Sequence, residues 1–260
     1  MKLSLCIAAF NEEKNIHYPM DSVYDIVDEV IIVDGGSEDK TIEIAKTYGE
    51  KVRIIQSDNP AMFHKNKEKA IMAAEGEWIL QLDADEALSP ELKKEIVTLI
   101  SGPKKDTLVA YWLPRKNLFL TRFLEKGGQY PDYTVRLYKN GVATFPCKDV
   151  HENVEINGEV GYLKNPILHY ADPDFSRYLM RWDRYTTLEV QNAKFRAQNR
   201  GKNLALMFVE YFFWKPLTTF FSMYFRHKGF VDGFPGFVFS LFSSLRFYVI
   251  YVKWWKSTKE

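Results

Sequence analysis

Trp78-Ile-Leu-Gln-Leu-Asp-Ala-Asp-Glu86 decides the reading of this chain. An apolar run with the composition of a buried strand ends abruptly in two carboxylates one residue apart, Asp83 and Asp85. Ser89-Pro90-Glu91 then starts a helix, with a capping hydroxyl and a proline at the first turn. Acids at the C-terminal end of a strand lie where open α/β sheets bind their ligands. Two ionised carboxylates this close repel each other, and a divalent cation with a taste for hard oxygen ligands, Mg²⁺ or Mn²⁺, relieves the repulsion. An isolated Asp-X-Asp is more often a solvated turn, so the weight rests on what lies upstream.

Upstream, strand and helix signals alternate. Lys2–Phe10, Glu29–Val33, Lys51–Gln56 and Trp78–Leu82 read as strands. Helices are expected between them at Glu12 to about Val27, at Ser37–Tyr48 and at Lys65–Ala74. Alternation of this kind implies a largely parallel sheet with right-handed crossovers. Strand one ends in Asn11-Glu-Glu, strand two in Asp34-Gly-Gly-Ser-Glu-Asp and strand four in Asp83-Ala-Asp. All three ends share one sheet edge and can form one site. No Gly-X-Gly-X-X-Gly follows strand one and there is no Walker pattern, which argues against dinucleotide and P-loop folds. Beyond residue 107 the alternation stops. Leu108–Pro114, Thr134–Tyr138 and Val142–Phe145 read as strands, with Lys139-Asn-Gly turning between the last two, so the sheet is expected to be mixed.

Four ordered segments carry a resemblance: Cys6-Ile-Ala-Ala-Phe-Asn-Glu-Glu, Ile31-Ile-Val-Asp-Gly-Gly-Ser-Glu-Asp-Lys-Thr, His64-Lys-Asn-Lys and the Trp78 segment. Together they resemble the family 2 glycosyltransferases, inverting enzymes of the GT-A fold that use nucleotide-sugar donors. Gly127-Gly-Gln-Tyr-Pro-Asp, Arg136-Leu-Tyr, Val150-His-Glu, His169-Tyr and Lys228-Gly-Phe-Val-Asp-Gly resemble, more narrowly, lipopolysaccharide-core β-glucosyltransferases of the WaaE/KdtX type. The resemblance implies a Rossmann-like nucleotide-diphospho-sugar transferase sheet flanked by helices. It implies donor contacts at Phe10, Asn11, Glu12, Asp34, Lys65, Asp83 and Ala84, and a metal at Asp83 and Asp85, with Asp85 the surer ligand. Gly35-Gly36 departs from the more usual Asp-Gly or Ser-Gly and removes one side-chain contact.

Inverting transfer needs a carboxylate to take the acceptor proton. Asp132, Asp149 and Glu152 are available, and the resemblance selects Glu152, with His151 orienting it or touching phosphate. Arg136 is a candidate partner for a donor phosphate. His169 reads as structural, because no second metal-binding His is suitably spaced.

The net charge of +1 conceals an asymmetry: residues 1–174 carry 21 Lys+Arg against 29 Asp+Glu, and residues 175–260 carry 14 against 5. Residues 1–174 are therefore read as the catalytic domain, 1–100 on the donor side and 101–174 on the acceptor side, and 175–260 as a basic, aromatic helical region. Two cysteines make no disulfide framework, and Met1-Lys-Leu-Ser runs straight into a strand pattern, so no signal peptide is expected. Ser176–Asn199 has Arg177, Arg181 and Arg184 on one helical face. Asn203–Phe225 is densely aromatic, with a kink or break expected at Pro216. Gly236–Trp255 is long enough to span a bilayer, but Arg246 would then sit near its middle at a cost of at least ~2.5 kcal/mol. Ser243, Arg246 and Lys253 on one stripe suggest instead a helix lying in the interface, polar residues toward headgroups.

The expected protein is a metal-dependent hexosyltransferase, moving glucose from UDP-glucose to a lipid-linked saccharide such as lipopolysaccharide inner core. It would sit peripherally, through residues 203–255, on the cytoplasmic face of a bacterial inner membrane, with a homodimer as a candidate assembly and no nucleic-acid partner. Rival readings are a polyprenyl-phosphate glycosyltransferase, a nucleotidyltransferase and a non-catalytic membrane-bound scaffold of the same fold.

Overall fold

The computed structural model describes residues 2–60, 64–102, 107–147, 154–192, 195, 201 and 203–259. The chain divides into two compact units, Met1–Arg115 with Asp132–His169, and Lys116–Pro131 with Tyr170–Glu260.

The first unit is built on four parallel strands in the order β3 (Val52–Gln56), β2 (Glu29–Asp34), β1 (Leu3–Ala9) and β4 (Trp78–Gln81). β1 is buried along its length, as a central strand covered on both faces must be. Its side chains alternate. Leu3, Leu5, Ile7 and Ala9 enter one core together with Met20 and Leu92, and Cys6 enters the other with Ile31, Ile71 and Tyr138. Helices α1 (His17–Val23), α2 (Thr41–Lys46), α3 (His64–Met72) and α4 (Pro90–Ser101) connect or cover these strands. Ser89 caps α4 as expected, its hydroxyl accepting from Leu92 N at 3.2 Å.

Past β5 (Glu86–Leu88) the sheet becomes mixed. β6 (Leu108–Phe119) carries the chain out to β7 (Arg122–Phe123), and β8 (Asp132–Lys139) returns it, antiparallel to both β4 and β6. The turn at residues 139–141 does not fold the next segment back onto β8. Asn140 is tied to Glu77, Ala74 and Gly76 instead. The segment expected as Val142–Phe145 is the short β9 (Ala143–Thr144), which pairs with β10 (Glu155–Ile156) in a separate ribbon. β11 (Glu159–Tyr162) runs parallel to β6, and β12 (Ile167–Asp172) pairs antiparallel with β5.

Two helices are shorter than their sequence patterns. Glu12 N and Glu13 N donate to Thr41 Oγ1 and Asp39 Oδ2, Asn15 N and Ile16 N turn back to the Glu12 carbonyl, and the regular helix starts at His17. Ser37 N donates to Asp34 and Glu38 N to Asn11, so the second begins at Thr41. The residues withheld from helix are those that bound the polar sheet edge.

In the second unit, α5 (Phe175–Gln191), α6 (Leu204–Val209), α7 (Lys215–Phe221) and α8 (Gly233–Ser257) pack around two aromatic cores, one at Phe119, Leu124, Tyr178 and Val238 and one at Met207, Tyr211, Phe247, Ile250 and Trp254. The break expected at Pro216 is not there. A wide π-type turn, Glu210–Trp214, joins α6 to α7, and it contains Phe212, whose carbonyl a proline at 216 would otherwise strike. A second such turn, Ser222–Arg226, follows α7. Among the described residues one helix, Gly229–Ser257, is long and apolar enough to cross a membrane.

Gly76 sits where β1 and β4 meet. Its N–H donates to the buried Ser4 hydroxyl at 2.8 Å, and an added Cβ would lie 2.9 Å from Ser4 N. Gly76→Ala is expected to cost about 1–3 kcal/mol by overpacking, read as a lowered urea midpoint with unchanged slope.

Candidate active site

The polar ends of β1, β2 and β4 converge within the first unit. Asn11 follows β1 in a left-handed conformation, φ 55°. That geometry lets its N–H reach Ser37 Oγ at 2.9 Å while its side-chain oxygen accepts from Glu38 N at 2.9 Å. Asp34, 1% exposed, accepts from Ser37 Oγ at 2.6 Å and from Ser37 N. The loops after β1 and β2 are therefore stitched into one rim. Gly36 has φ 84°, and a Cβ on Gly35 would press against Asn59 and Phe10 at 3.3–3.4 Å. Phe10 itself is exposed at this rim.

Beneath the rim lies a network of alternating charges. Arg136, on β8, comes opposite Gln81 because the register pairs Leu80 with Leu137. One guanidinium nitrogen donates to Gln81 Oε1, and the other to Asp83 Oδ2 and, at 2.9 Å, to Glu86 Oε1. Lys67, on α3, holds Asp83 Oδ1. Arg115 donates to Glu86 at 3.2 Å and to Asp132 Oδ2 at 2.7 and 3.0 Å. Glu86 Oε2 accepts from Asp83 N at 3.0 Å. Three acids thus face three bases, with Glu86, Lys67 and Arg136 buried.

Burial opposes ionisation at each of these groups, and the charged partners decide the outcome. Burial alone would raise the Asp83 carboxyl, yet Arg136 and Lys67 hold it well below the usual range. Burial works against the Arg136 guanidinium, and Asp83 and Glu86 more than reverse it, raising its pKa. At Lys67 burial prevails over Asp83 and lowers the ammonium below its ordinary value.

Asp85 faces a different neighbour. Its Oδ1 lies 3.4 Å from His169 Nε2, on β12, which the β5–β12 register sets opposite Glu86. At that distance the two side chains are within ion-pair reach of each other. Among the described residues no group of three or more His, Cys, Asp or Glu is placed to hold a metal.

The expected site residues divide accordingly. Phe10, Asn11, Glu12, Asp34, Asp83, Ala84 and Asp85 come from the three converging strand ends. Arg136 joins them through Asp83. Lys65 is exposed, whereas Lys67, two positions along the helix and so on another face, is buried against Asp83. His151 and Glu152, with Asp149, lie outside the described residues. Sequence reasoning did not single out Lys67, Glu86 or Arg115, and His169, read there as structural, pairs with Asp85. Lys67 had a signal: His64, Lys67 and Ile71 fall at the spacing of the inward face of α3, and a lysine there calls for a buried acid.

An open α/β sheet with a polar cradle at its parallel strand ends, continued by antiparallel strands, is consistent with the GT-A fold. The Glycosyl transferase family 2 profile matches residues 4–148, and the chain belongs to that family. An uncharacterized glycosyltransferase of Rickettsia typhi, RT0209, is 31% identical over 259 residues, 95% of this chain and 84% of its own. The lipopolysaccharide core biosynthesis glycosyltransferase LpsC of Rhizobium meliloti is 22% identical over 95% of this chain and 92% of its own. Among solved structures, the mannosyltransferase PcManGT from Pyrobaculum calidifontis, in complex with GDP-Man and Mn²⁺, superposes with TM-score 0.50 at 13% identity, covering 95% of this chain and 74% of that one.

Asp83→Asn leaves Lys67 and Arg136 without their shared anion and is expected to cost about 3 kcal/mol of folding stability. The pH profile carries the sign. A carboxyl held low in the folded state contributes fully above its unfolded pKa of about 4, and its contribution is lost as pH falls through the folded value. The gap between wild type and variant in urea titrations is expected to be flat above about pH 5 and to close toward low pH.

Proposed function

We propose that this family 2 glycosyltransferase is an inverting hexosyltransferase that moves glucose from UDP-glucose to a lipid-linked saccharide of the lipopolysaccharide-core class. It would work from a peripheral position on the cytoplasmic face of a bacterial inner membrane. The observation that carries the reading is the division of labour between the two aspartates: Asp83 neutralised by Lys67 and Arg136, Asp85 turned toward His169. LpsC supports the acceptor class, and the resemblance to core glucosyltransferases supports uridine and glucose.

Phe10 offers an exposed ring to the base. Asp34 keeps acceptor capacity beyond its bonds to Ser37 for a ribose hydroxyl or the base N–H. Asn11 and Glu12 hold the rim, Ala84 spaces the two acids, and exposed Lys65 reaches toward the nucleotide. Asp85 and His169 would hold Mg²⁺ or Mn²⁺. When bound there, the cation neutralises charge developing on the departing diphosphate. Asp83 remains a second candidate ligand if it releases one of its two cations.

Inversion requires the acceptor hydroxyl to attack the anomeric carbon from the side opposite the leaving group. Glu152 takes the hydroxyl proton as the new C–O bond forms and the bond to UDP breaks, with His151 orienting it. Asp132 suits this role less well, because Arg115 already takes Asp132 Oδ2 through two hydrogen bonds.

Thermal unfolding with UDP, GDP, CDP or ATP, each with Mn²⁺ and with EDTA, tests the donor site. A ligand at a hundred times its Kd adds ~2.7 kcal/mol. The expected response is to UDP with Mn²⁺, reduced by EDTA and by Asp85→Ala or His169→Ala. A response to GDP would keep the transferase and change the sugar, and none to any nucleotide would favour the scaffold. Glu152→Gln is expected to bind donor normally and to lose at least about 10²-fold in transfer. Unchanged transfer would favour a phosphate acceptor already ionised, as in the polyprenyl-phosphate reading.

A further inference from the structure

The segment from Leu204 to Arg226 stays helical through α6, α7 and the two wide turns, and it has two unlike sides. Met207, Tyr211 and Pro216 are buried. On the other side stand Leu206, Val209, Phe213, Leu217, Phe221 and Phe225, each at least 53% exposed. From Val209 onward these residues recur every four positions. In a straight α-helix of 3.6 residues per turn a step of four overshoots by about 40°, so four such steps would carry the row about 160° round the cylinder. The π-type turns Glu210–Trp214 and Ser222–Arg226 hold more residues per turn and remove much of that drift. The two departures from α geometry therefore align five large apolar side chains, Val209 to Phe225, into one stripe, with Leu206 beside its start.

The flanks of the stripe are specific. The charges inside the segment, Glu210 and Lys215, pair with each other at 3.0 Å. At its end Arg226, His227 and Lys228 are exposed, followed by exposed Phe230, Val231 and Phe234. A shallow open groove lined by Thr218, Thr219, Ser222, Met223 and Arg226 lies along the same helix, offering hydroxyls and a guanidinium. This basic turn is anchored: Asp232, 1% exposed, accepts from Glu125 N at 3.0 Å and Lys126 N at 2.7 Å, and Gly127 N donates to the His227 carbonyl at 2.8 Å.

The final helix differs. One side of α8 is packed inside the unit at Val238, Ser244, Phe247, Ile250 and Trp254. Lys253, expected to face headgroups, gives its ammonium to Asp183, Thr186 and Thr187 of α5 or its backbone. The polar stripe expected on this helix is thus partly spent on internal contacts.

We infer that the membrane-binding element is the Leu204–Arg226 helix together with the turn at 226–234, and that its partner is an anionic phospholipid surface. The apolar stripe lies in the acyl boundary, with Arg226 and Lys228 on headgroup phosphates. Charge complementarity chooses this occupant, since residues 175–260 carry 14 Lys+Arg against 5 Asp+Glu. The inference rests on the membrane part of the proposal above and is independent of donor and acceptor.

Co-sedimentation of the full chain with vesicles of phosphatidylcholine, with and without phosphatidylglycerol, tests it. Phe213→Ser/Leu217→Ser/Phe221→Ser is expected to lower partitioning at least about tenfold on both vesicle types. Arg226→Gln/Lys228→Gln is expected to remove about 30-fold, only where phosphatidylglycerol is present. Val252→Ser/Trp255→Ser on α8 is expected to change neither. UDP–Mn²⁺ stabilisation should survive in all three, so failure at the vesicle and failure of the donor site are separable. A triple variant that binds vesicles like wild type, or loss confined to the α8 variant, would overturn the assignment. So would a wild-type dimer that ignores vesicles and becomes monomeric in the triple variant, which would make the stripe a self-association face.

Discussion

The architecture of the catalytic unit depends on one half-buried anion, Asp83, held between the buried Lys67 and Arg136. Each partner comes from a different layer: Asp83 from the end of a parallel strand, Lys67 from the helix above it, and Arg136 from the first antiparallel strand beside it. Removing charges from water is expensive, and the attraction between them repays the cost only when all are in place. The network therefore does more than bind. It ties the parallel nucleotide half of the sheet to the antiparallel half, and it leaves Asp85, the other acid of the pair, to face His169. Two acids one residue apart take on different roles because only one of them is given cations by the fold.

Much of this was legible in the sequence. Apolar runs located all four parallel strands, and the polar residues at their ends converge on one rim as expected, because both depend on local pattern. The resemblance carried the family. What escaped was non-local. Helix starts at Glu12 and Ser37 look sound as local signals, but the site uses those backbone N–H groups to hold its own rim. The pairing of β9 with β10 rather than β8 depends on where Asn140 finds its partners. His169 reads as structural on spacing alone, since its partner Asp85 is far away in sequence and adjacent only through the β5–β12 register.

The C-terminal unit shows the same limit from the other direction. Composition located a basic, aromatic region, and local apolarity drew attention to the last helix. Which aromatic residues face out is a property of packing. α8 is the more hydrophobic-looking segment, yet its side chains complete the cores at Tyr178 and at Tyr211. The preceding segment, interrupted in sequence by Glu210, Lys215 and Pro216, presents the continuous apolar row, because its charges neutralise each other and its wide turns absorb the proline.

Those wide turns also change how the segment tolerates alteration of length. Loops on a protein surface absorb insertions and deletions cheaply. A helix whose two sides have separate duties does not, since one residue more or less rotates everything downstream by about 100°. Between Leu204 and Arg226, outside the wide turns, the number of residues is therefore as constrained as their identity. A single deletion inside Glu210–Trp214 is absorbed, because the wide turn closes to an ordinary one, whereas a deletion at Thr218 or Thr219 in α7 would turn Phe221 and Phe225 by about 100° away from their common face while leaving composition, charge and hydropathy almost untouched.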